Sequence, residues 1–227
     1  MKILAIDTSA LTATAAILAD GKLICEISTT TALNHSVTVM PMIDELLKKV
    51  NMDISEIDLF ACSEGPGSFT GLRIGIGTIK GLAYGLGKKV VGVSTLEALA
   101  HNISFTDFAI APIMDARRNQ VYNALYKYDG EKLVEEIPPR ALSVEELCEE
   151  ISEKTIFVGD GVLAYKEKIK EILGDMALFV TPQNMLQRAG SVAYAAQSIS
   201  PVDAEELTAV YLRKPQAERE REEKERI

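Results

Sequence analysis

The chain has 227 residues, with 24 Lys plus Arg against 33 Asp plus Glu, a formal charge of −9 and 47% hydrophobic residues. That is enough apolar material for one large or two small packed domains, and it excludes a disordered chain. The acidic balance, the absence of Trp and an aromatic content of 6% argue against a broad phosphate-binding surface or a base-stacking platform.

In chain order, Lys2–Ile6 is an apolar run ending in Asp7-Thr8-Ser9, Thr12–Leu18 is β-branched and Ala-rich, and Asp20-Gly21 is a turn before a return strand, Lys22–Thr29. A helix follows over Ser36–Val50, with Met40, Ile43, Leu47 and Val50 on one stripe and Pro41 placed to start or kink it. Leu59–Ser63 reads as a buried strand. It leads through Glu64-Gly65-Pro66-Gly67-Ser68-Phe69-Thr70 into a long helix, Gly71–Leu86, stopped by Gly87. Val90–Val93 is a strand, and Ser94 with Glu97 reads as a capping box opening a short helix to His101.

The second half restarts the same way. Phe108–Met114 is a strand ending in Asp115, Gln120–Tyr128 pairs with it, and Asp129-Gly130 turns into Lys132–Ile137, with Pro138-Pro139 read as loop. Ser143 and Glu146 cap a helix, Thr155–Val158 is a strand, and Gly159-Asp160-Gly161 precedes a helix over Leu163–Leu173. Two similar βββαβα halves predict an α/β protein of two lobes. From Arg213 onward six basic and five acidic residues alternate with almost nothing apolar, which reads as a solvated tail.

Chemistry-bearing clusters are few. Cys25, Cys62 and Cys148 are odd in number and sit in strand or helix patterns, so buried inert thiols are expected rather than a disulfide framework. His35 and His101 form no metal-binding spacing, and His35, beside a helix start, reads as a surface or capping residue. The apolar run Ile3–Ile6 is too short for a signal peptide, and no stretch nears the ~20 apolar residues of a spanning helix. A soluble protein of a reducing compartment, the cytoplasm, is expected, with no membrane partner.

The loop Gly65, Gly67 and Ser68 sits between a strand and a helix, where backbone N–H groups can cradle an anion. A tight connection that merely needs glycine explains it equally well. The turns Asp7-Thr8-Ser9 and Asp115-Ala116-Arg117-Arg118 would face one another across a cleft. Neither carries the glycines of close nucleotide contact, although Arg117 and Arg118 could meet an anion. In the long helix Gly71, Gly75, Gly77, Gly81 and Gly85 share one arc of about 160° at 100° per residue, together with Ile74, Thr78 and Leu82. Leu72, Ile76, Ile79, Ala83 and Leu86 make a second, bulky face, and Arg73 and Lys80 a narrow polar strip. Five glycines forgo about 5 kcal/mol of helix preference. A helix with two apolar faces wants two neighbours. The glycine neighbour is either this chain's own Ser36–Val50 helix or a partner subunit, and composition does not separate the two.

Leu4-Ala5-Ile6-Asp7-Thr8-Ser9, Asn34-His35-Ser36, Gly65-Pro66-Gly67-Ser68-Phe69-Thr70-Gly71-Leu72-Arg73-Ile74-Gly75, Val91-Gly92-Val93-Ser94-Thr95-Leu96-Glu97-Ala98-Leu99, Asp115-Ala116-Arg117-Arg118 and Gly159-Asp160-Gly161 occur in that order. Together they resemble the bacterial TsaB (YeaZ) family over nearly the whole chain to about Lys214. The resemblance implies an actin-like (ASKHA, ribonuclease H-like) fold. Its N-terminal lobe would be 1–105, completed by part of 190–214, its smaller second lobe 106–189, and its charged tail 215–227. It implies a noncatalytic subunit, not an enzyme in itself. That subunit would pair with the catalytic relative TsaD and act with the ATPase TsaE to form N6-threonylcarbamoyladenosine at position 37 of tRNAs reading codons that begin with A. tRNA would be met through the complex. ATP or ADP and a metal ion would sit in the partners, with no cofactor held tightly here. The pairing surface implied is Met40, Ile43, Leu47, Gly71, Ile74, Gly75, Gly77, Thr78, Gly81, Leu82 and Gly85, which would also serve a homodimer of the free chain. Asp7, Thr8, Ser9, Gly65, Gly67, Ser68, Arg73, Arg117 and Arg118 are the anion- or nucleotide-proximal candidates. In the catalytic relative two histidines of a His-Met-Glu-Gly-His segment bind metal. Thr95 and Leu99 stand at those places here, and leucine cannot coordinate a metal. A small-molecule kinase or ATPase of the same superfamily is the alternative.

Overall fold

The first meander places three strands side by side: β1 (Lys2–Asp7), β2 (Thr12–Ala19) and β3 (Lys22–Thr30). β1 and β2 are buried along nearly their whole length, as strands covered on both faces must be, whereas β3 forms the exposed edge. The structure, a computed structural model, describes residues 1–30 and 34–213; the charged stretch read as a tail over 215–227 lies outside them. α1 (His35–Lys49) crosses one sheet face, followed by β4 (Leu59–Gly65), α2 (Phe69–Leu86) and β5 (Lys89–Ser94). The sheet order is β3-β2-β1-β4-β5, antiparallel through the meander and parallel from β1 to β5. α1 runs unbroken past Pro41.

α3 (Thr95–Ala100) leads to the second lobe, made of β6 (Ala109–Asp115), β7 (Gln120–Asp129), β8 (Lys132–Ser143), α4 (Val144–Glu150), β9 (Thr155–Val158), α5 (Gly161–Leu173) and β10 (Ala177–Phe179). Its order, β10-β9-β6-β7-β8, repeats the first sheet with each strand replaced by its counterpart. The halves are therefore one architecture used twice. α6 (Ala189–Ala196) then returns to the first lobe and packs across β1, β2, β4 and β5.

Packing follows the strand periodicity. Leu4, Ile6, Ile17, Phe60 and Cys62 face Val39, Ile43 and Leu46 of α1 and Ile76, Ile79 and Ala83 of α2. Ile3, Ala5, Ala61, Val91 and Val93 face Val192, Ala193 and Ala196 of α6. Leu96, Leu99 and Ala100 of α3 join Ile110, Met114, Tyr122 and Tyr126 of the second sheet, so α3 is the wedge between the lobes.

Several local expectations change. α2 begins at Phe69, because Ser68 caps it and accepts the Gly71 amide at 3.3 Å. α5 begins at Gly161 rather than Leu163. The Ser143–Glu146 capping box forms, but Ser94 makes no cap bond with its side chain. Pro138 and Pro139 lie inside β8, tolerated because β8 is an edge strand with register shifts against β7.

Candidate functional site

The ends of β1 and β6 carry the two aspartate turns, and their geometry separates them. Asp7 is fully buried; Oδ1 accepts the Ser9 amide (2.8 Å) and Ser9 hydroxyl (2.6 Å), and Oδ2 accepts the Ser63 hydroxyl. Burial pushes its carboxyl above the usual range against the opposing pull of these bonds. Thr8 turns inward too, donating its hydroxyl to the Gly71 carbonyl at 2.7 Å. Asp7, Thr8 and Ser9 are thus spent on their own lobe. Asp115 repeats the local geometry, accepting the Arg117 amide at 2.8 Å, but is exposed and also accepts the Tyr165 hydroxyl at 3.1 Å. The turn after it runs through positive φ at Arg117, Arg118 and Asn119 (60°, 55° and 59°), and all three side chains are exposed.

The glycine loop is explained by approaches of this chain's own backbone. A β-carbon on Gly65, whose φ is +131°, would overlap the Val210 carbonyl, and one on Gly67 would lie 2.5 Å from the Ser9 carbonyl. The Ser68 amide also donates to that Ser9 carbonyl at 2.7 Å. What approaches Gly65 belongs to the 190–214 segment expected to complete the first lobe, at a place the sequence reading gave no element. The Val210 amide donates to the Glu64 carbonyl at 2.7 Å. Tyr211 stacks on Phe69 with centroids 4.5 Å apart and accepts from Arg73 Nε at 3.1 Å. Leu212 packs between the lobes, and Arg213 donates to the Ala116 carbonyl at 2.8 Å. This strap runs from the first lobe to the second. Its sequence signal was weak: Val202, Ala204 and Leu207 are apolar but match neither helical nor strand period.

The α2 glycines divide. β-carbons on Gly71 and Gly75 would overlap or crowd Thr8, so both are internal close-packing positions and are unavailable to a partner. Ile43, 1% exposed, is likewise part of the core. Gly71 and Gly75 are corrected, because the β1–β2 turn already covers them, whereas Ile43 also reaches the open groove below α1. Gly77, Gly81 and Gly85 are exposed, with no atom of the described residues within 4 Å of a β-carbon. Ile74, Thr78, Leu82 and Leu47 are half-buried beside them, and Val37 (62% exposed), Met40 (47%) and Tyr84 (73%) stand out to solvent. An open groove of about 670 Å³ continues this face below α1, lined in part by Met40, Leu47, Met52 and Ile54.

Among the described residues no group of three or more His, Cys, Asp and Glu can hold a metal ion. Thr95 and Leu99 are buried in α3. Burial raises the Cys62 thiol and lifts Cys148 to about 11, leaving both protonated. His101 is lowered to about 4 by burial against Tyr194, and His35 Nε2 lies 2.7 Å from the Ala10 carbonyl. No helix among the described residues is long and apolar enough to cross a membrane.

Comparison with known proteins bears on the family and the fold. A family model described as TsaD, tRNA N6-adenosine threonylcarbamoyltransferase, matches residues 27–219. The tRNA threonylcarbamoyladenosine biosynthesis protein TsaB of Bacillus subtilis is 35% identical over 221 residues, 96% of each chain. The structure of YeaZ from Pseudomonas aeruginosa superposes with a TM-score of 0.76 at 26% identity, covering 93% of this chain and 99% of that one. A component of the Acidaminococcus fermentans (R)-2-hydroxyglutaryl-CoA dehydratase, at 12% identity and a TM-score of 0.53 over 86% of this chain and 97% of that one, shares the two-lobed actin-like fold alone.

Proposed function

The chain belongs to the TsaB (YeaZ) family, and from that premise we propose that it is a noncatalytic, activating subunit that docks the catalytic relative TsaD. Membership sets it in tRNA threonylcarbamoyladenosine biosynthesis. The finer role is our reading. One observation carries it: α2 keeps Gly77, Gly81 and Gly85 in a solvent-facing row with open space above. Glycine inside a helix costs about 1 kcal/mol against alanine, so three such positions forgo about 3 kcal/mol with nothing among the described residues to explain them. Close approach of another backbone does explain them, as it explains Gly71 and Gly75 within the chain. Exposed Met40 and half-buried Leu47, Ile74, Thr78 and Leu82 supply the apolar area around that row.

The kinase or ATPase alternative is weakened by the same geometry. A phosphate loop needs glycines and amides free to meet a ligand, whereas Gly65 and Gly67 are occupied by Val210 and Ser9. Asp7 is bonded to Ser9 and Ser63. In this reading ATP and metal chemistry belong to TsaD and TsaE, tRNA is met through the assembly, and the free chain pairs with itself through the face it offers TsaD. Sedimentation of the chain mixed with purified TsaD tests the docking step. A single heavier species containing both is expected; two independent boundaries at micromolar concentrations would overturn it.

A further inference from the structure

The C-terminal strap is held on the first lobe by both cations of the α2 polar strip. Lys80 donates its ammonium to the Glu205 and Leu207 carbonyls, at 3.0 Å each. Arg73 donates Nε to the Tyr211 hydroxyl at 3.1 Å and lies over the same ring, 5.8 Å from its centroid. At 100° per residue these two stand about 60° and 40° around the helix from Gly77, so they border the exposed glycine row. Arg73 is exposed and Lys80 half-buried. Glycine has no side chain, so whatever seats on the row meets the stems of Arg73 and Lys80 at its edge.

The other end of the strap meets the second lobe at a strained place. Leu212 packs in the same apolar cluster as Ala116, and Arg213 Nη1 donates to the Ala116 carbonyl at 2.8 Å. The next three residues, Arg117, Arg118 and Asn119, are all left-handed, and among the described residues no other run of three non-glycine positions is. Such backbone persists only where its surroundings hold it. The second lobe supplies part of the hold: the Arg117 amide donates to Asp115 at 2.8 Å, the Ala116 amide to the Gln120 carbonyl at 3.0 Å and the Gln120 amide to the Arg117 carbonyl at 3.2 Å. Arg213 adds a restraint that comes from the strap.

On the reading that TsaD seats on the α2 glycine row, we propose that the strap is a coupling device: docking beside Arg73 and Lys80 fixes the strap, and the strap holds the Ala116–Asn119 turn in its strained form. The differential affinity comes from ordering. With the strap engaged, Arg73 and Lys80 already stand in one geometry; with it loose, both long side chains must be immobilised when the partner arrives. Docking therefore favours the engaged strap, and the second lobe then presents Arg117 and Arg118 in one position. The coupling is reciprocal, so loosening the strap weakens docking in turn.

The test is amide hydrogen exchange of the full-length chain, alone and saturated with purified TsaD, read at Ala116, Arg117 and Gln120, whose amides are bonded within the turn. The wild type is compared with Arg213→Ala, which removes the strap's bond to the turn, and with Tyr211→Phe, which keeps the ring on Phe69 but deletes the bond from Arg73. Both variants are checked for folding by circular dichroism. In the wild type TsaD should slow exchange of the three amides about fivefold. In Arg213→Ala the slowing should vanish while TsaD is still captured, its Kd raised by no more than that factor, and in Tyr211→Phe the slowing should fall to about twofold. Capture of TsaD with no change at the three amides of the wild type would overturn the coupling and leave docking standing. Equal slowing in all three proteins would mean that TsaD covers the turn directly, and would overturn the coupling too. Failure of the wild type to capture TsaD would overturn the docking reading and the coupling with it.

Discussion

The Val210 carbonyl lies against the α-carbon of Gly65 at a separation that leaves no room for a β-carbon, while the Val210 amide donates to Glu64 next door. The glycine that looked in sequence like part of an anion cradle is there so that the chain's own strap can pass against β4. Gly65→Ala should therefore be destabilising twice over, by overlap and by a φ of +131°, and should cost about 3 kcal/mol. Gly87→Ala, at a φ of +63° with open space around it, should cost about 1 kcal/mol. Urea midpoints of the two variants, compared at equal slope, check the order.

Removing the Tyr211 ring breaks the stack on Phe69 and the bond from Arg73. Tyr211→Ala should cost about 1 kcal/mol of stability, since the ring is partly exposed. It should also raise hydrogen exchange at both ends of the strap's span, Gly65–Phe69 and Ala116–Gln120. Increased exchange confined to the first lobe would mean that the strap does not tie the lobes.

The two kinds of α2 glycine should respond oppositely. Gly81→Leu or Gly77→Leu leaves an open helix face and should keep the chain folded while abolishing capture of TsaD in a pull-down. Gly75→Ala crowds the Thr8 hydroxyl and should lower stability by about 2 kcal/mol while leaving the docking face intact. If the leucine variants still bind TsaD at the wild-type level, the interface lies elsewhere.

Asp160 gives a pH signature. Burial, followed by the nearby charge of Asp115, raises its carboxyl from 3.8 to about 6, and its Oδ1 is buried without a partner. An acid whose folded value is raised holds its proton more tightly when folded. Its stabilising contribution is present below about 4 and is lost as pH rises through about 6. Asp160→Asn should abolish that fall, a gain of about 2–3 kcal/mol over the wild type at pH 7 relative to pH 4. Parallel stability profiles for the two proteins would contradict the assignment.

The strongly periodic parts of the molecule were legible in the sequence. The repeated strand endings at Asp7 and Asp115 announced the two halves, and the α2 glycines announced a helix with two apolar faces. What a helical wheel cannot hold is the position of other segments. Gly75 and Gly77 differ in role only because the β1–β2 turn folds Thr8 onto one and not the other. α6 escaped because Ala189–Ala196 is small and apolar on nearly every side, as suits a helix pressed between α3 and the first sheet, so it lacks amphipathic contrast. The strap escaped because its hydrogen bonds run to Glu64 and Ala116, far away in sequence. Ser94 misled because a local motif, Ser followed three residues later by Glu, makes no side-chain cap bond here, where the hydroxyl is buried.

The central claim is that this chain is required by a tRNA-modifying assembly without itself carrying the chemistry. The most direct measurement is an omission assay in which TsaD, TsaE, the threonylcarbamoyl-adenylate synthase, tRNA, ATP, bicarbonate and labelled threonine are incubated with and without the chain. The account predicts labelled tRNA only when the chain is present and none from the chain alone. Equal labelling with and without it, or labelling by the chain in the absence of TsaD, would contradict the account.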